Sequence, residues 1–212
     1  MGLTEKKHLI LAATGASGAM YFVRTLRALL MNGHQVDLVI SSYGLLTLRE
    51  ETSFGAFDGP FAEWFFKEHG PEVRKGELTA FNYKDQTTRI ASGSSSVDGM
   101  AIVPCTMRTL AGVAHGFSSN LIERAADVVL KERKRLVVVP REAPYNLFHL
   151  ENMTRVTQAG AVVLPASPAF YQKPESLTDL GDFIAARVLK LFDLDVELYP
   201  KWQGLTHPEE LD

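Results

Sequence analysis

Two opposite charges, Arg141 and Glu142, follow a short apolar run and stand between Pro140 and Pro144. Charged side chains beside a buried strand are costly unless they are solvated, paired or engaged with a ligand. In the functional interpretation, Arg141 holds an anion and Glu142 handles a proton as a general acid or base. In the alternative interpretation, the two residues form an ordinary ion pair on a surface loop.

A second candidate site is the glycine-rich turn at residues 14–19, which reads Thr-Gly-Ala-Ser-Gly-Ala. A dinucleotide fingerprint has the spacing G-x-G-x-x-G and an acidic residue at the end of the next strand, for the ribose. Here the spacing is G-x-x-G, the next apolar run ends in Ser41 and Ser42, and Asp37 lies inside that run. The turn therefore disfavours NAD and suits a mononucleotide such as FMN. A tight strand–helix turn without a ligand is the alternative.

Cations that could bind a further phosphate are scattered along the chain. Residues 131–135 carry a local charge of +3, which is typical of a solvated helix C-terminus, although one of these cations could reach a phosphate in its own or a neighbouring subunit. Arg187 lies on an otherwise apolar predicted helix, and Tyr171 lies in a proline-rich loop. A tyrosine, an arginine and a lysine suit a phosphate, but the sequence alone does not bring the three together.

Metal and thiol chemistry are not expected. Cys105 is the single cysteine, so a disulfide within the chain is excluded and a cysteine-based zinc site is disfavoured. Because Cys105 follows an apolar run, it is interpreted as a small buried residue and not as a nucleophile. The six histidines show no H-x-x-H or H-E-x-x-H spacing, so no metal site is predicted.

The elements that must position these residues alternate between strands and helices. Apolar runs predict strands at residues 8–13, 36–40, 100–104, 136–140 and 161–164, with a further edge strand within 71–90. Helical periodicity or capping predicts helices from residue 19 to Asn32, and at 43–51, 60–69, 106–114, 120–133, 150–158 and 177–192. This alternation predicts a three-layer α/β fold around a parallel sheet, in one domain.

In such a sheet, ligands bind beyond the carboxyl ends of the strands. Small or hydroxyl-bearing residues follow three of the five clearly predicted strands, and helix N-termini there offer N–H groups to an anion. The residues that follow the strands are Gly15, Ala16, Ser17 and Gly18, then Ser41 and Ser42, then Cys105, Thr106, Met107, Arg108 and Thr109, then Arg141 and Glu142, and finally 166–171.

Composition restricts the class of protein. The 212 residues are 46% hydrophobic and carry a net charge of −3, which indicates one folded domain and argues against binding nucleic acid or an anionic membrane through bulk charge. No apolar window approaches about 18 residues, so no membrane span is expected. No secretory signal is recognisable, and the reduced cytoplasm is the expected setting. We assign residues 1–205 to the domain and 206–212 to a flexible tail.

Five segments, in the same order, resemble the UbiX flavin prenyltransferases. They are residues 14–19, 120–127 with 130–133, 139–144, 149–153 and 165–171, and the resemblance covers residues 8 to about 202. It implies a flavodoxin-like or Rossmann-like domain in a large homo-oligomer, commonly a dodecamer, with active sites finished by neighbouring subunits. It also implies metal-independent transfer of a dimethylallyl group from dimethylallyl phosphate to reduced FMN, which gives the prenylated FMN cofactor of UbiD-type decarboxylases.

The resemblance further assigns roles to residues by motif. It places Gly15, Ala16 and Ser17 against FMN, with Ser17 beside the reacting flavin nitrogen. Ser41, the segment Thr106 to Thr109 and Arg141 would complete the FMN site. The matching active-site carboxylates are Glu51 and Glu142, and the residues that match the clamp on dimethylallyl phosphate are Lys131, Tyr171 and Arg187.

The chain departs from the family pattern at two places. Arg108 stands where a glycine or lysine is more usual, and Tyr145-Asn146 replaces a Leu/Phe then Ser/Thr pair; both affect the expected shape of the pocket. A cysteine decarboxylase on a related fold would carry a P-x-M-N motif where this chain has residues 140–144, Pro-Arg-Glu-Ala-Pro. A non-catalytic FMN carrier would not need Lys131, Tyr171 and Arg187 together.

Overall fold

The computed structural model describes residues 6–200. Within this range, six strands form one parallel sheet in the order β3-β2-β1-β4-β5-β6, which is the doubly wound arrangement. The strands are β1 (His8–Ala13), β2 (Gln35–Ile40), β3 (Glu77–Asn82), β4 (Gly99–Cys105), β5 (Arg135–Pro140) and β6 (Val162–Val163). The helices are α1 (Ala19–Met31), α2 (Ser42–Glu51), α3 (Phe61–His69), α4 (Met107–His115), α5 (Leu121–Lys131), α6 (Leu147–Gln158) and α7 (Leu177–Lys190).

Two hydrophobic cores cover the two faces of the sheet and confirm the three predicted layers. Phe22 of α1, Phe65 of α3 and Ile184 of α7 belong to the core on one face. Leu110 of α4 and Val129 of α5 belong to the core on the other face. The chain order reverses between β1 and β4, so the carboxyl ends of these neighbouring strands diverge into helices on opposite faces. This is the position where open parallel sheets bind ligands.

Partly buried ion pairs connect elements of the fold away from this edge. Arg24 of α1 binds Asp182 of α7 through two bonds, Nε to Oδ1 at 2.5 Å and a terminal nitrogen to Oδ2 at 2.7 Å. Asp37 of β2 is fully buried and pairs with Arg89 and with Nε2 of His8. Asp37 is therefore a structural residue inside the strand, as its position in the sequence indicates, and does not reach the ligand edge.

Several predicted boundaries are corrected. Helix α6 begins at Leu147, three residues before the predicted start, because the Asn146 side chain accepts the His149 N–H and the His149 ring accepts the Asn146 N–H. Helix α5 ends at Lys131 and α7 at Lys190, both before the predicted ends, and β4 extends to Cys105. The predicted tail 206–212 lies outside the described residues. No helix in residues 6–200 has the length and hydropathy needed to cross a membrane.

Candidate active site

A cavity of about 700 Å³ opens at the carboxyl edge of the sheet, where β1 and β4 diverge. This volume falls within the usual range for small-molecule sites. Five of the nine residues predicted to bind FMN line it: Gly15, Ser41, Thr106, Arg108 and Thr109. The other lining residues are Thr14, Ser42, Tyr43, Tyr83, Ala111, Gly112, Phe117, Ser119, Asn120 and Glu123.

Glycine at position 15 is required by the close approach of α2. A Cβ atom added to Gly15 would collide with the Cβ of Tyr43, and it would lie 3.2 Å from the Tyr43 carbonyl carbon. The absence of a side chain therefore keeps the β1–α1 turn and the start of α2 close together while leaving the cavity open. Gly18 has φ +114°, a conformation that favours glycine. The turn predicted from the G-x-x-G spacing is thus built as expected.

Two helices begin at the cavity, each with a hydroxyl-bearing cap that lines it. The Ser41 hydroxyl accepts the Gly44 N–H at 3.0 Å at the start of α2, and the Thr106 hydroxyl accepts the Thr109 N–H at 3.2 Å at the start of α4. Arg108 is exposed in the first turn of α4. Hydroxyl groups, a guanidinium and the positive ends of two helix dipoles suit a phosphorylated polyol, so the residues present fit FMN.

Ser17, Glu51 and Arg141 form a second group of polar side chains at the same edge. Oε2 of Glu51 accepts the N–H groups of Gly18 and Ala19, each at 2.8 Å. Nε of Arg141 donates to the Ser17 carbonyl oxygen at 3.0 Å. Three residues predicted from different parts of the chain are therefore brought together at the N-terminus of α1.

The surroundings of Glu51 hold its carboxyl group in the ionised form. Partial burial acts to raise its pKa, but hydrogen bonds from the Ser17 side chain and from the Ala19 and Gly18 N–H groups, with the charge of Arg141, lower it overall. This arrangement corrects the expectation that every helix N-terminus at this edge offers free N–H groups to an anion. At the start of α1 the N–H groups of Gly18 and Ala19 are already bonded to the Glu51 carboxylate.

Tyr21 is a neighbour of this group that the sequence did not single out. Its ring packs on Gly18, whose added Cβ would lie 2.7 Å from Cδ2 of Tyr21. Burial raises the pKa of the Tyr21 phenol, Arg141 lowers it and Glu51 raises it, with a net increase. Tyr21 is therefore a neutral phenol close to the charges of Glu51 and Arg141.

Glu142 is exposed, and its Oε1 accepts the N–H of Ala143 at 3.1 Å. Among the described residues, no ion pair joins Glu142 to Arg141, because the guanidinium of Arg141 is directed to Ser17. The interpretation of residues 141 and 142 as a simple surface ion pair is therefore wrong. Glu142 is left on the solvent side of the site with a carboxylate available to a ligand.

Two predicted positions are buried. The side chain of Met107 belongs to the core between the sheet and helices α4 to α6, so any contact of Met107 with a ligand would be through its backbone, and its side chain does not line the cavity. Ala16 is also buried. Cys105 is fully buried, and burial raises the pKa of its thiol to about 12, which confirms the interpretation of Cys105 as a small core residue.

A single chain does not assemble the predicted clamp of Lys131, Tyr171 and Arg187. Lys131 ends α5 at the amino edge of the sheet, where it pairs with Glu132. Arg187 lies near the end of α7, on the opposite face of the sheet. Tyr171 follows β6 at the carboxyl edge and packs edge-on against Phe183 at 6.4 Å. The sheet separates the two cations, so an intact clamp requires more than one subunit.

Other cavity residues were missed because nothing in their local sequence indicates a ligand. Tyr43 follows Ser42 inside a helix, and Tyr83 follows the edge strand β3, whose end the sequence did not locate. Glu123 is buried and its Oε2 accepts the Ser119 N–H at 2.8 Å. The capping pattern that starts at Asn120 predicted the helix but not that this helix start faces the cavity.

Comparison with known proteins is consistent with this geometry. The Flavoprotein family model matches residues 2–189. The chain is 43% identical over 200 residues to the flavin prenyltransferase UbiX of Pseudomonas aeruginosa, which covers 94% of this chain and 96% of the relative. The chain belongs to the UbiX flavin prenyltransferase family. The resemblance found in the sequence is therefore confirmed, and with it the fold.

Solved structures of UbiX proteins share the architecture. A crystal structure of AnUbiX (PadA1) in complex with FMN and dimethylallyl pyrophosphate has a TM-score of 0.82 and 40% identity, covering 95% of this chain and all of that one. A dodecameric FMN-dependent UbiX-like decarboxylase from Escherichia coli O157:H7 has a TM-score of 0.82 and 39% identity, covering 93% of this chain and all of that one.

Proposed function

We propose that this UbiX family member transfers a dimethylallyl group from dimethylallyl phosphate to reduced FMN, and that the prenylated FMN serves a UbiD-type decarboxylase. One observation carries the proposal. The hydroxyl-lined cavity adjoins the group formed by Ser17, Glu51 and Arg141 at one edge of the sheet. This edge can hold a phosphorylated flavin and place ionised side chains beside it.

FMN is the acceptor substrate in this proposal. Its phosphate and ribityl chain are assigned to the cavity, against Ser41, Thr106, Arg108 and Thr109, with the backbone of Met107 at the start of α4. Gly15 and Ala16 leave room for the flavin, and Ser17 lies beside the reacting nitrogen. Bound reduced FMN supplies an electron-rich ring system that accepts the allyl group.

The reaction places negative charge on the leaving phosphate and positive charge on the allyl group, and we assign separate residues to each charge. The allylic carbon–oxygen bond breaks with its electron pair leaving on the phosphate, and that carbon bonds to a flavin nitrogen, which loses its proton. Ring closure then uses the double bond of the transferred group: the alkene gains a proton, its other carbon bonds to a carbon of the benzenoid ring, and that ring carbon loses its proton. Lys131, Arg187 and Tyr171 are assigned to the leaving phosphate, whose growing negative charge fixed cations stabilise. Glu51 and Glu142 are assigned to the positive charge of the allyl group and to the protons released.

A homo-oligomer is part of the proposal, because the sheet separates Lys131 on α5 from Arg187 on α7 within one chain. Large apolar side chains are exposed where α6 and α7 begin and in the loop between β6 and α7. They are Leu147, Phe148, Phe170 and Leu177, each at least 66% exposed. Exposed apolar patches of this kind mark contacts between proteins. We assign this surface to neighbouring subunits of an assembly that we expect to be a dodecamer in the cytoplasm.

The decisive experiment is anaerobic incubation of the purified protein with reduced FMN and dimethylallyl phosphate, followed by mass spectrometry of the flavin. A flavin heavier by one prenyl unit is expected, and FMN bound without a change of mass would instead identify a carrier. A parallel incubation with the diphosphate determines the donor. Dialysis against a chelator should leave the rate unchanged, since the proposal assigns the leaving phosphate to cationic side chains and not to a metal.

A further inference from the structure

Thr14 is buried, with 4% of its surface exposed, at the point where β1 ends beside β4. Its hydroxyl donates to the Pro104 carbonyl oxygen at 3.0 Å and accepts the Thr106 N–H at 2.8 Å. A carbonyl can only accept and an N–H can only donate, so the direction of both bonds is fixed. The one hydroxyl therefore connects the residue that follows β1 to the end of β4 and to the N-cap of α4.

The bonds continue from Thr106 into the cavity. The Thr106 hydroxyl accepts the Thr109 N–H at 3.2 Å and donates to Oγ1 of Thr109 at 3.1 Å. Because Oγ1 of Thr109 receives this proton, its own proton is directed elsewhere. Thr14, Thr106 and Thr109 all line the cavity, and Thr109 is buried except for 9% of its surface.

We propose that Thr14 is a positioning residue, whose hydroxyl fixes Thr106 and thereby directs the Thr109 hydroxyl to donate into the cavity, toward a phosphate or ribityl oxygen of the flavin. The inference rests on the proposed binding of FMN and adds a determinant of affinity to it. Thr14 reaches the cavity with little of its surface, and its hydroxyl, which is bonded to the backbone, acts through Thr106. A donor that is already oriented does not have to be ordered when the ligand binds.

The test compares Thr14→Val with Thr14→Ser. Valine keeps the shape of threonine but removes the hydroxyl, which leaves the Thr106 N–H unsatisfied, whereas serine keeps both hydrogen bonds. We expect the Kd for FMN to rise by about tenfold or more in Thr14→Val, because the Thr109 hydroxyl is no longer held in its donating orientation and must be ordered on binding, and by less than about threefold in Thr14→Ser. Equal affinities of Thr14→Val and the wild type would overturn the inference.

A matched control separates positioning from general stability. Thr25 of α1 is fully buried, and its hydroxyl donates to the Tyr21 carbonyl oxygen at 2.7 Å, on the helix and away from the cavity lining. Thr25→Val removes a buried hydroxyl in the same way. It should lower the melting temperature of the FMN-free protein without changing the Kd for FMN. An equal loss of FMN affinity in Thr25→Val and Thr14→Val would overturn the inference.

A double-mutant cycle tests the route through Thr109. If Thr14 acts by orienting Thr109, the Kd of the Thr14→Val/Thr109→Val double variant should equal that of Thr109→Val alone, whereas additive losses of affinity would contradict the inference.

Riboflavin, measured in parallel, identifies the acceptor of the Thr109 hydrogen bond. A loss of affinity for FMN only indicates the phosphate, and an equal loss of affinity for FMN and riboflavin indicates the ribityl chain. If Thr14→Val does not fold, Thr109→Val must still bind FMN more weakly than Thr14→Ser does.

The outcomes distinguish this inference from the proposed function. A wild-type protein that does not bind FMN would refute the proposed function. A wild-type protein that binds FMN, with a Thr14→Val variant of equal affinity, would refute the role of Thr14 alone.

Discussion

The guanidinium of Arg141 donates to the carbonyl oxygen of Ser17 at 3.0 Å, although the two residues are 124 positions apart in the chain. This bond joins the loop after β5 to the turn after β1 and holds Arg141 over the N-terminus of α1. Glu51 reaches the same point from the end of α2. Because the Arg141 guanidinium is directed to Ser17, it does not pair with its neighbour Glu142. The first two predictions concern the charges of Glu51 and Glu142.

The ionisation of Glu51 predicts a specific dependence of stability on pH. The pKa of Glu51 in the folded protein is below the ordinary value of 4.5, so the carboxylate stabilises the fold above that value. The stabilisation is lost as the pH falls through the lowered pKa. The difference in free energy of unfolding between wild type and Glu51→Gln should therefore be constant at neutral pH and shrink below about pH 4.5.

Urea unfolding of both proteins between pH 3 and 8 measures this difference. Glu50→Gln is the matched control, since Glu50 is the exposed neighbour of Glu51 in α2 and makes no bond to the start of α1. A difference between wild type and Glu51→Gln that grows as the pH falls would show that Glu51 is not held ionised by the N–H groups of α1.

Glu142 should be required for the reaction but not for binding. Its carboxylate is exposed and has no cationic partner among the described residues, so Glu142→Gln preserves the shape of the loop and removes the charge to which the proposal assigns a catalytic role. We expect an unchanged Kd for FMN and a prenylation rate reduced about 100-fold or more, the usual scale for a proton-transfer residue. Single-turnover assays with the exposed Glu151→Gln as control measure this effect, and an unchanged rate would remove Glu142 from the mechanism.

The sequence predicted those parts of the site that depend on short-range patterns. The G-x-x-G spacing is local, as is the position of Ser41 at a strand end, and both lie where expected. The burial of Met107 and the start of α6 were not predicted. Met107 follows the N-cap residue of α4 directly, in a segment whose small residues suggested exposure to a ligand. Helix α6 has His149 at the N3 position of its capping box, where the usual residue is an acidic one or a glutamine.

Contacts between distant segments could not be predicted from the sequence. Nothing local indicates that Arg141 binds Ser17, or that α5 places Lys131 at the amino edge of the sheet. These positions follow from strand order, and strand order is set by the packing of whole helices on the two faces. The resemblance to UbiX proteins assigned Lys131, Tyr171 and Arg187 to one site, while the fold places Lys131 on α5 and Arg187 on α7, on opposite faces of the sheet.

Gly15→Ala should weaken FMN binding, whereas an alanine substitution that only destabilises the fold should not. The added methyl group collides with Tyr43, so α2 or the β1–α1 turn must shift, at a typical cost of about 1–3 kcal/mol for overpacking. The shift moves Ser41 and narrows the cavity. Gly160→Ala is the control, because Gly160 has φ +103° and open space around it, so alanine there is strained without touching the cavity. Titration with FMN should show weaker binding in Gly15→Ala only.

Cys105 should not react in the folded protein. The thiol is fully buried and its pKa is raised to about 12, so almost no thiolate is present at pH 8, and a reagent has no access to it. A thiol-specific chromogenic reagent should therefore give no signal until guanidinium unfolds the chain, and then one equivalent. Cys105→Ala should prenylate FMN at close to the wild-type rate. Fast labelling of the native protein at pH 8 would show that the buried position of Cys105 is wrong.

The proposed assembly of the phosphate site by Lys131 of one subunit and Tyr171 of another predicts that inactive variants restore each other's activity when mixed. Lys131→Ala and Tyr171→Phe should each be nearly inactive in their own homo-oligomers. When the two variants are mixed under conditions that exchange subunits, some sites receive Lys131 from one variant and Tyr171 from the other. Random assembly in equal amounts should restore about a quarter of the wild-type activity if each site takes the two residues from different subunits.

A mixture of Lys131→Ala with Lys131→Gln is the control, since no arrangement of those subunits contains an intact clamp. Native mass spectrometry of the mixed oligomers verifies that exchange has occurred. If exchange is complete and the Lys131→Ala/Tyr171→Phe mixture stays inactive, then Lys131 and Tyr171 serve a site from the same subunit. Such a result would require α5 and the loop after β6 to approach each other across a sheet that separates them in this structure.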